Sequence, residues 1–298
     1  MQQLKLTPKI SLLINKNFPA CNSLLIEDSQ TAIIDSGLGS KWLKKLFAEK
    51  NIDILINSHT HPDHVAGNAL VMRLSGVEIY APYQERGYNL SLEKMKKDLG
   101  VKGSSIQGSW EIFVRDQIGF QEIEKETTFN DAHIFDLGDV QLEAIHIPGH
   151  SPGHFGFLIR EDNIFFASDI GLDLFGPWYG YGNSDLDVFI SSIHKIKGLD
   201  IERTVSSHSD QLIDDINKGL DGCLRIIDQR NNRILDKINQ GVKDIKKLVG
   251  SGFIYKSLSS RIMSPDFVSF FEEKMIKEHI KILISAGEVD KEVFYTCF

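Results

Sequence analysis

The chain has 298 residues, of which 42% are apolar and 25% charged, the composition of an ordinary folded protein. Its 33 Lys and Arg against 41 Asp and Glu leave a net charge of -8, which disfavours general affinity for nucleic acid or an anionic membrane. No apolar run approaches the roughly 18 residues of a membrane span, and the first residues lack the apolar stretch of a signal peptide. Three scattered cysteines, Cys21, Cys223 and Cys297, favour reduced thiols and a cytoplasmic protein.

The predicted elements of the first 80 residues are strands and helices in alternation. Residues 23–26 and 31–34 flank a polar turn and predict a β-hairpin. Apolar residues at helical spacing after Ser40 predict a helix, and the apolar run at 52–57 predicts a buried strand that ends in a loop. A further short strand is expected at 77–80.

Residues 83–130 are polar and glycine-containing, and we interpret them as an insertion or lid with one helix near 92–99. Apolar runs then predict strands at residues 140–147, 155–159, 163–167 and 205–207.

The character of the chain changes near Gly222, so we expect a main domain over residues 1–221 and a mostly helical extension over 222–298. Apolar stripes predict helices over about 226–238, 242–249 and 265–286. The last begins with Ser264 as N-cap and Pro265 at the first helical position. Residues 288–295 fit a terminal strand or wing.

The most informative motif is His59-Thr60-His61-Pro62-Asp63-His64, which follows the strand predicted at 52–57. A catalytic metal ion takes about three protein ligands and keeps one position open. Four candidate ligands within six residues, joined by others downstream, therefore suffice for two ions. The further candidates, each at a predicted strand end, are Asp35, His150, Asp169 and His208.

Taken in order, these residues resemble the metallo-β-lactamase superfamily in its glyoxalase II-like branch. The segment Pro148-Gly149-His150-Ser151-Pro152-Gly153-His154 also resembles a turn of that branch. The resemblance covers roughly residues 20–210 and implies an α+β fold, a four-layer αββα sandwich, with residues 1–221 as its catalytic domain.

The resemblance also implies the ligand sets. One metal ion would be held by His59, His61 and His150, the second by Asp63, His64 and His208, and Asp169 would bridge them. Asp35 would support the metal loop by hydrogen bonding. Imidazole and carboxylate ligands without thiolate suit zinc first, with iron or manganese as alternatives.

The expected activity is hydrolysis of a small acyl compound, foremost a thioester, by a hydroxide bridging the two ions, with Asp63 as the catalytic residue that orients it. Two alternatives stay open. The tail resembles the small winged-helix-like appendage of the β-lactamase-like protein 2 subgroup, some members of which cleave single-stranded RNA. One alternative is therefore a metal-dependent phosphodiesterase or ribonuclease. The tail's net charge of +3 gives no clear phosphate-binding surface. The other alternative is a metal-binding regulatory or ligand-binding protein with little turnover.

Further expectations concern the neighbouring residues and the partners. His146 and His154 flank His150 and are interpreted as structural, while Tyr179 or Tyr181 would donate a hydrogen bond to a developing oxyanion. No matching set of basic residues for the carboxylates of glutathione is found in the C-terminal half. The expected partner is a small-molecule acyl substrate rather than a membrane or nucleic acid, and a homo-oligomer is left open.

Overall fold

The structure is a computed structural model that describes residues 2–17, 19–256, 264–292 and 294. Its strands are β1 (Gln2–Lys5), β2 (Ile10–Ile14), β3 (Ser23–Glu27), β4 (Thr31–Ile34), β5 (Ile54–Ile56), β6 (Glu78–Pro82), β7 (Thr127–Phe129), β8 (Ile134–Asp136), β9 (Gln141–His146), β10 (Phe155–Ile159), β11 (Ile164–Phe166) and β12 (Arg203–Val205). Its helices are α1 (Ser40–Glu49), α2 (Pro62–Val65), α3 (Asn68–Ser75), α4 (Leu92–Asp98), α5 (Gln107–Ile112), α6 (Leu186–Lys197), α7 (Ile216–Asn239), α8 (Ile245–Leu248) and α9 (Pro265–Ser285).

The strands form two sheets. In the first, β1 to β7 lie side by side in chain order; the first four are antiparallel, and β4 to β7 run parallel. The second sheet has the order β12-β11-β10-β9-β8, with only β11 and β12 parallel. The predicted hairpin is β3–β4, paired from Leu24 with Ile34 to Glu27 with Thr31.

Strand alternation places each sheet between two apolar layers. Leu24 in β3 and Phe157 in β10 belong to a core enclosed by the two sheets. Their neighbours Leu25 and Leu158 belong to separate cores that contain residues of α1 and α6, because successive side chains point to opposite faces of a strand. The layers are therefore helix, sheet, sheet and helix, which confirms the predicted αββα sandwich.

The segment 83–130 has more structure than its sequence indicated. The expected helix is α4, but α5 follows and runs into a π-helical turn over Phe113–Ile118. Interspersed glycines and polar residues hide this helix in the sequence, although Trp110 and Val114 lie one turn apart and are both buried. At its end, β7 pairs with β6 and joins the first sheet. The division into two domains stays a prediction.

The tail, residues 222–298, is helical as expected. Ser264 caps α9, its hydroxyl accepting a hydrogen bond from the Phe267 amide. The expected strand or wing over 288–295 is not found in the described residues 288–292, and Tyr295 lies outside them. Instead, the Val289 side chain enters the core and its amide bonds the carbonyl of Leu283, which holds this segment at the end of α9.

The α7 and α9 helices share one apolar core with α6 and the second sheet, so the tail covers that face of the sandwich. Among the helices in the described part of the chain, none is both long and apolar enough to cross a bilayer.

Candidate metal centre

The histidine motif lies in the loop that joins β5 to α2. Pro62 occupies the first helical position of α2, so the chain turns into the helix at His61. Within this turn His59, His61 and His64 are all buried, at 0%, 4% and 0% exposure. Three buried histidines in six residues are unusual for a loop and indicate that they meet a shared partner.

Three ring nitrogens converge at one end of the site. Nε2 of His150 lies 2.8 Å from Nδ1 of His61 and 3.2 Å from Nε2 of His59. These three histidines form a group whose candidate ligand atoms all lie within 4.8 Å of one another.

A second group of candidate ligands contains Asp63, His64 and His208. Nε2 of His208 lies 3.4 Å from the Asp63 carboxylate, and Nε2 of His64 lies 3.7 Å from it. The Asp169 carboxylate stands between the groups: its Oδ2 is 3.3 Å from both His64 and His208 and 3.6 Å from His150. The structure thus brings together all seven residues of the ligand sets that the resemblance implied.

The far nitrogens of three rings are bound by acceptors that fix their orientation. Nδ1 of His64 donates to Asp35 at 2.9 Å, and Nδ1 of His150 donates to the carbonyl of Trp178 at 2.8 Å. Nδ1 of His59 lies 3.1 Å from the hydroxyl of Ser58. Such contacts select the tautomer that leaves Nε2 as a ligand.

Asp35 has the supporting position that the resemblance implied. Besides the His64 ring, its carboxylate accepts hydrogen bonds from the amide and hydroxyl of Ser58, both at 2.7 Å. Its backbone adopts φ 62°, an uncommon conformation for a non-glycine residue that is often found at functional sites.

Glu85 is a supporting residue that sequence reasoning missed. It is 1% exposed, and its carboxylate accepts hydrogen bonds from the Thr60 amide at 2.7 Å and the Gly153 amide at 2.8 Å. It therefore ties the loop of His59 and His61 to the turn that follows His150. A single glutamate in a short 3₁₀ turn carries no sequence signal for this role.

The neighbouring histidines are structural, as predicted. His146 bonds the carbonyl of Pro152, and Nδ1 of His154 donates to the carbonyl of Ile147. Nε2 of His154 accepts the amide hydrogen of Asp169, and burial lowers the pKa of this histidine to about 3. Away from the site, His133 and His194 are exposed, and His279 is buried in the tail.

The electrostatics of the two groups differ. Burial, with the neighbouring histidines, lowers the pKa of His59 and His61 well below the usual value, so these rings are neutral. Burial also opposes protonation of His64 and His208. Cys21 and the nearby carboxylates outweigh it at His64, and Asp169 and Asp63 outweigh it at His208, so both pKa values are raised. These histidines in turn lower the pKa of Asp169 against the effect of burial, so this carboxylate stays ionised.

The donor set suits divalent metal. Oδ1 of Asp169 and Nε2 of His61 are buried without a hydrogen-bond partner. Buried ring nitrogens that face one another without a hydrogen between them, beside a carboxylate with an unpaired oxygen, are the donors that a metal ion accepts as ligands. Imidazole with carboxylate is a common ligand set for zinc and iron.

The centre forms one wall of a cavity of about 670 Å³. The other walls are apolar and contain Trp110, Phe113, Trp178, Phe267 and Phe271.

The two tyrosines of the loop after Asp169 have different places. Tyr181 lines the cavity, with its ring 4.8 Å from that of His61. The expectation for Tyr179 is wrong: its side chain is fully buried, and its hydroxyl bonds His279 and Arg230 of the tail. Gly180 separates the two tyrosines, and residues two apart in a regular extended segment would face the same side, so the sequence did not indicate that they diverge.

Fold and site define an αββα protein with a histidine and carboxylate centre suited to metal. The family model of the metallo-beta-lactamase superfamily matches residues 17–208, and the chain belongs to this superfamily of metal-dependent hydrolases.

Two relatives with hydrolase or thioesterase in their names and one solved structure illustrate what the chain is similar to. The chain is 28% identical over 179 residues to the hydroxyacylglutathione hydrolase GloC of Haemophilus influenzae, covering 58% of this chain and 76% of that protein. It is 23% identical over 301 residues to an atrochrysone carboxyl ACP thioesterase of Pseudocercospora fijiensis, covering 96% and 77%. A metallo-beta-lactamase family protein of Thermus thermophilus shares the fold with a TM-score of 0.72, at 18% identity and 95% coverage of both chains.

Proposed function

We propose that this protein is a dinuclear metal-dependent hydrolase of acyl thioesters. The observation that carries the proposal is the pair of ligand groups joined by Asp169 on the wall of an apolar cavity. His59, His61 and His150 would hold one ion, and Asp63, His64 and His208 the other, with Asp169 shared between them. Zinc is our first choice, and iron or manganese would suit the same ligands.

When bound, two divalent ions lower the pKa of a water molecule and polarise the substrate carbonyl. The chain's own residues orient the reactants. Asp63 faces the cavity with 26% of its side chain exposed, and the His208 and His64 contacts lower its pKa against burial, so it can accept a hydrogen bond from the attacking water.

Tyr181 is the candidate donor to the carbonyl oxygen as negative charge develops there. Its hydroxyl accepts a hydrogen bond from Nε1 of Trp110 at 3.1 Å, which fixes the oxygen and leaves the hydroxyl hydrogen for the substrate. Burial raises the pKa of Tyr181, so this proton is retained at neutral pH. The water oxygen forms a bond to the acyl carbon, its proton passes to solvent, the carbon–sulfur bond breaks, and a thiolate leaves with little need of an acid.

The relatives support thioesters over other acyl compounds, because two of those compared above are named for thioester hydrolysis. We expect a small-molecule acyl substrate and a cytoplasmic location, consistent with the net charge of -8 and the few cysteines.

The test compares zinc-reconstituted protein on acyl thioesters and on single-stranded RNA. Asp63→Ala removes a ligand and the orienting carboxylate, and Asp200→Ala, at an exposed position outside the cavity, is the matched control. The proposal is supported if the protein hydrolyses thioesters, Asp63→Ala abolishes this turnover and Asp200→Ala preserves it. RNA cleavage with the same dependence would replace it with a ribonuclease, and binding of metal without turnover of either would indicate a regulatory protein.

A further inference from the structure

The cavity beside the metal centre is enclosed by a continuous aromatic surface. The rings of Trp178 and Tyr181 lie 5.4 and 5.3 Å from that of Phe271, and 5.2 Å from each other. Further out, Phe113 and Phe267 are 5.6 Å apart. These are distances of packed aromatic pairs, so the surface is rigid and presents ring faces and edges to a ligand.

This aromatic surface begins at the ligands themselves. The Tyr181 ring is 4.8 Å from His61, and the Trp178 ring is 5.6 Å from His150. A carbonyl held at the metal centre would therefore direct its substituent onto Trp178, Tyr181 and Phe271.

The charged residues of the cavity are acidic. Among the described residues that line it, the charged side chains apart from histidine are Asp63, Asp169 and Asp173, and no lysine or arginine is present. Asp63 and Asp169 belong to the metal centre, where bound ions would balance their charge. The rest of the described lining offers no cation to pair with an anionic acyl substituent, and burying such a group without a partner is costly. The acyl portion of the substrate is thus selected by apolar contact.

The cavity mouth extends the apolar surface into solvent. Ile112 is 59% exposed, Leu174 is fully exposed, and Phe175 is 36% exposed, and all three line the cavity. Most large apolar side chains are buried in a folded protein, so three exposed ones at one opening indicate a surface that a ligand covers.

We infer that the cavity binds a large, uncharged apolar acyl group, with Phe271 and Trp178 in contact with its body and Ile112 at its outer end. This inference rests on the proposed thioester hydrolysis and specifies its substrate class. Both α5 and α9 supply walls, so residues outside the two sheets determine acyl selectivity.

The first test is a chain-length series, in which acetyl, hexanoyl and decanoyl thioesters of the neutral thiol N-acetylcysteamine are compared on zinc-loaded protein. Full burial of one methylene is worth about fourfold in kcat/KM. Because the three acyl chains differ by four methylenes each, kcat/KM should rise steeply with chain length. Succinyl thioester should be poorer than hexanoyl because of its carboxylate.

Ile112→Glu tests the position of the acyl chain. Charge at the mouth should lower the ratio of kcat/KM for the decanoyl substrate to that for the acetyl substrate by about tenfold or more, because only the longer chain reaches Ile112. Ile134→Glu is the matched control, because Ile134 is 53% exposed and lies on β8 outside this cavity.

A binding measurement separates this inference from the proposed function. The neutral ketone 2-undecanone should change the tryptophan fluorescence of the zinc-loaded protein, since Trp110 and Trp178 line the cavity, and Ile112→Glu should weaken its binding. Thioester turnover that does not depend on chain length would overturn the inference and leave the hydrolase intact. If no thioester reacts, ketone binding weakened by Ile112→Glu would still support the apolar site, and absence of binding would refute it.

Discussion

Arg230, on α7 of the tail, donates a hydrogen bond from Nη1 to the carbonyl oxygen of Pro177 at 2.7 Å. The next carbonyl along the chain, that of Trp178, accepts the hydrogen bond from Nδ1 of His150. The same arginine nitrogen is 3.1 Å from the hydroxyl of Tyr179. The tail therefore reaches the metal centre through one loop, and its contribution goes beyond covering a sheet.

Replacing Arg230 should weaken metal binding. In Arg230→Gln the loop loses its guanidinium support, so Trp178 holds the His150 ring less firmly. Loss of an outer hydrogen-bond partner of a metal ligand typically lowers metal affinity by roughly 10- to 100-fold, and we expect the low end because the effect passes through the loop. Competition with a zinc chelator measures this.

Arg225→Gln is the control for that experiment, because Arg225 lies on the same helix but is exposed. Arg230 is buried, so part of the effect of its replacement is a loss of stability. Equal zinc affinity of Arg230→Gln and Arg225→Gln, with only the Tm of the former reduced, would show that Arg230 is structural alone.

The Asp35→Asn variant should weaken binding of the ion held by Asp63, His64 and His208 more than binding of the other ion. In the wild type, the Ser58 amide, the Ser58 hydroxyl and the His64 ring all donate to the Asp35 carboxylate. Asparagine preserves the shape of the side chain but offers these three donors only one carbonyl oxygen. His64 then loses its fixed orientation, and affinity for the ion it holds should fall by roughly 10- to 100-fold.

Isothermal titration calorimetry with zinc measures the binding of each ion separately in the wild type and in Asp35→Asn. The wild-type protein should show two binding events, and the variant should retain the event at His59, His61 and His150. Equal weakening of both events would contradict the assignment of His64 to a separate ion.

Glu85→Gln should loosen the connection between the two metal-binding loops. The Gln side chain has one acceptor oxygen, so it cannot accept from both the Thr60 and Gly153 amides, and one buried N–H is left facing an NH₂ group. An unsatisfied buried polar group costs about 1–3 kcal/mol. Denaturant unfolding of the metal-free protein measures the loss.

Glu161→Gln, at an exposed position, serves as the control for Glu85→Gln. Because Glu85 joins loops that carry ligands, zinc should stabilise the Glu85 variant less than it stabilises the wild type. If the metal-free Glu85 variant and the metal-free wild type have the same free energy of unfolding, Glu85 does not stabilise the connection between the two loops.

The sequence predicted the parts of this molecule that depend on local patterns. The seven candidate ligands follow predicted strands, which singled them out, and the resemblance to the metallo-β-lactamase superfamily implied how they group. Helix α9 was predicted with its N-cap because Ser264 and Pro265 are local signals. Long-range pairing carries no such signal: neither the partners of Glu85 nor the inward direction of Tyr179 could be inferred, since both depend on packing between distant segments.

His279 should make the stability of the protein depend on pH. The ring is buried in the tail, where Nδ1 donates to Asn231 at 2.6 Å and Nε2 accepts from the Tyr179 hydroxyl at 2.6 Å. Burial and the nearby Arg230 guanidinium lower its pKa from 6.5 to about 3. In the unfolded chain the ring takes up a proton below about pH 6.5, whereas the folded protein resists protonation until pH 3.

The unfolded state therefore binds more protons over this interval, and the free energy of unfolding falls as the pH decreases from 6.5 towards 3. Above pH 6.5 the ring is neutral in both states and contributes no slope. His279→Gln, which keeps a donor and an acceptor, should reduce this slope, while His194→Gln, at an exposed histidine, should not. Denaturant unfolding measured at several pH values tests this, and parallel curves for His279→Gln and the wild type would show that the buried ring is not what couples folding to pH.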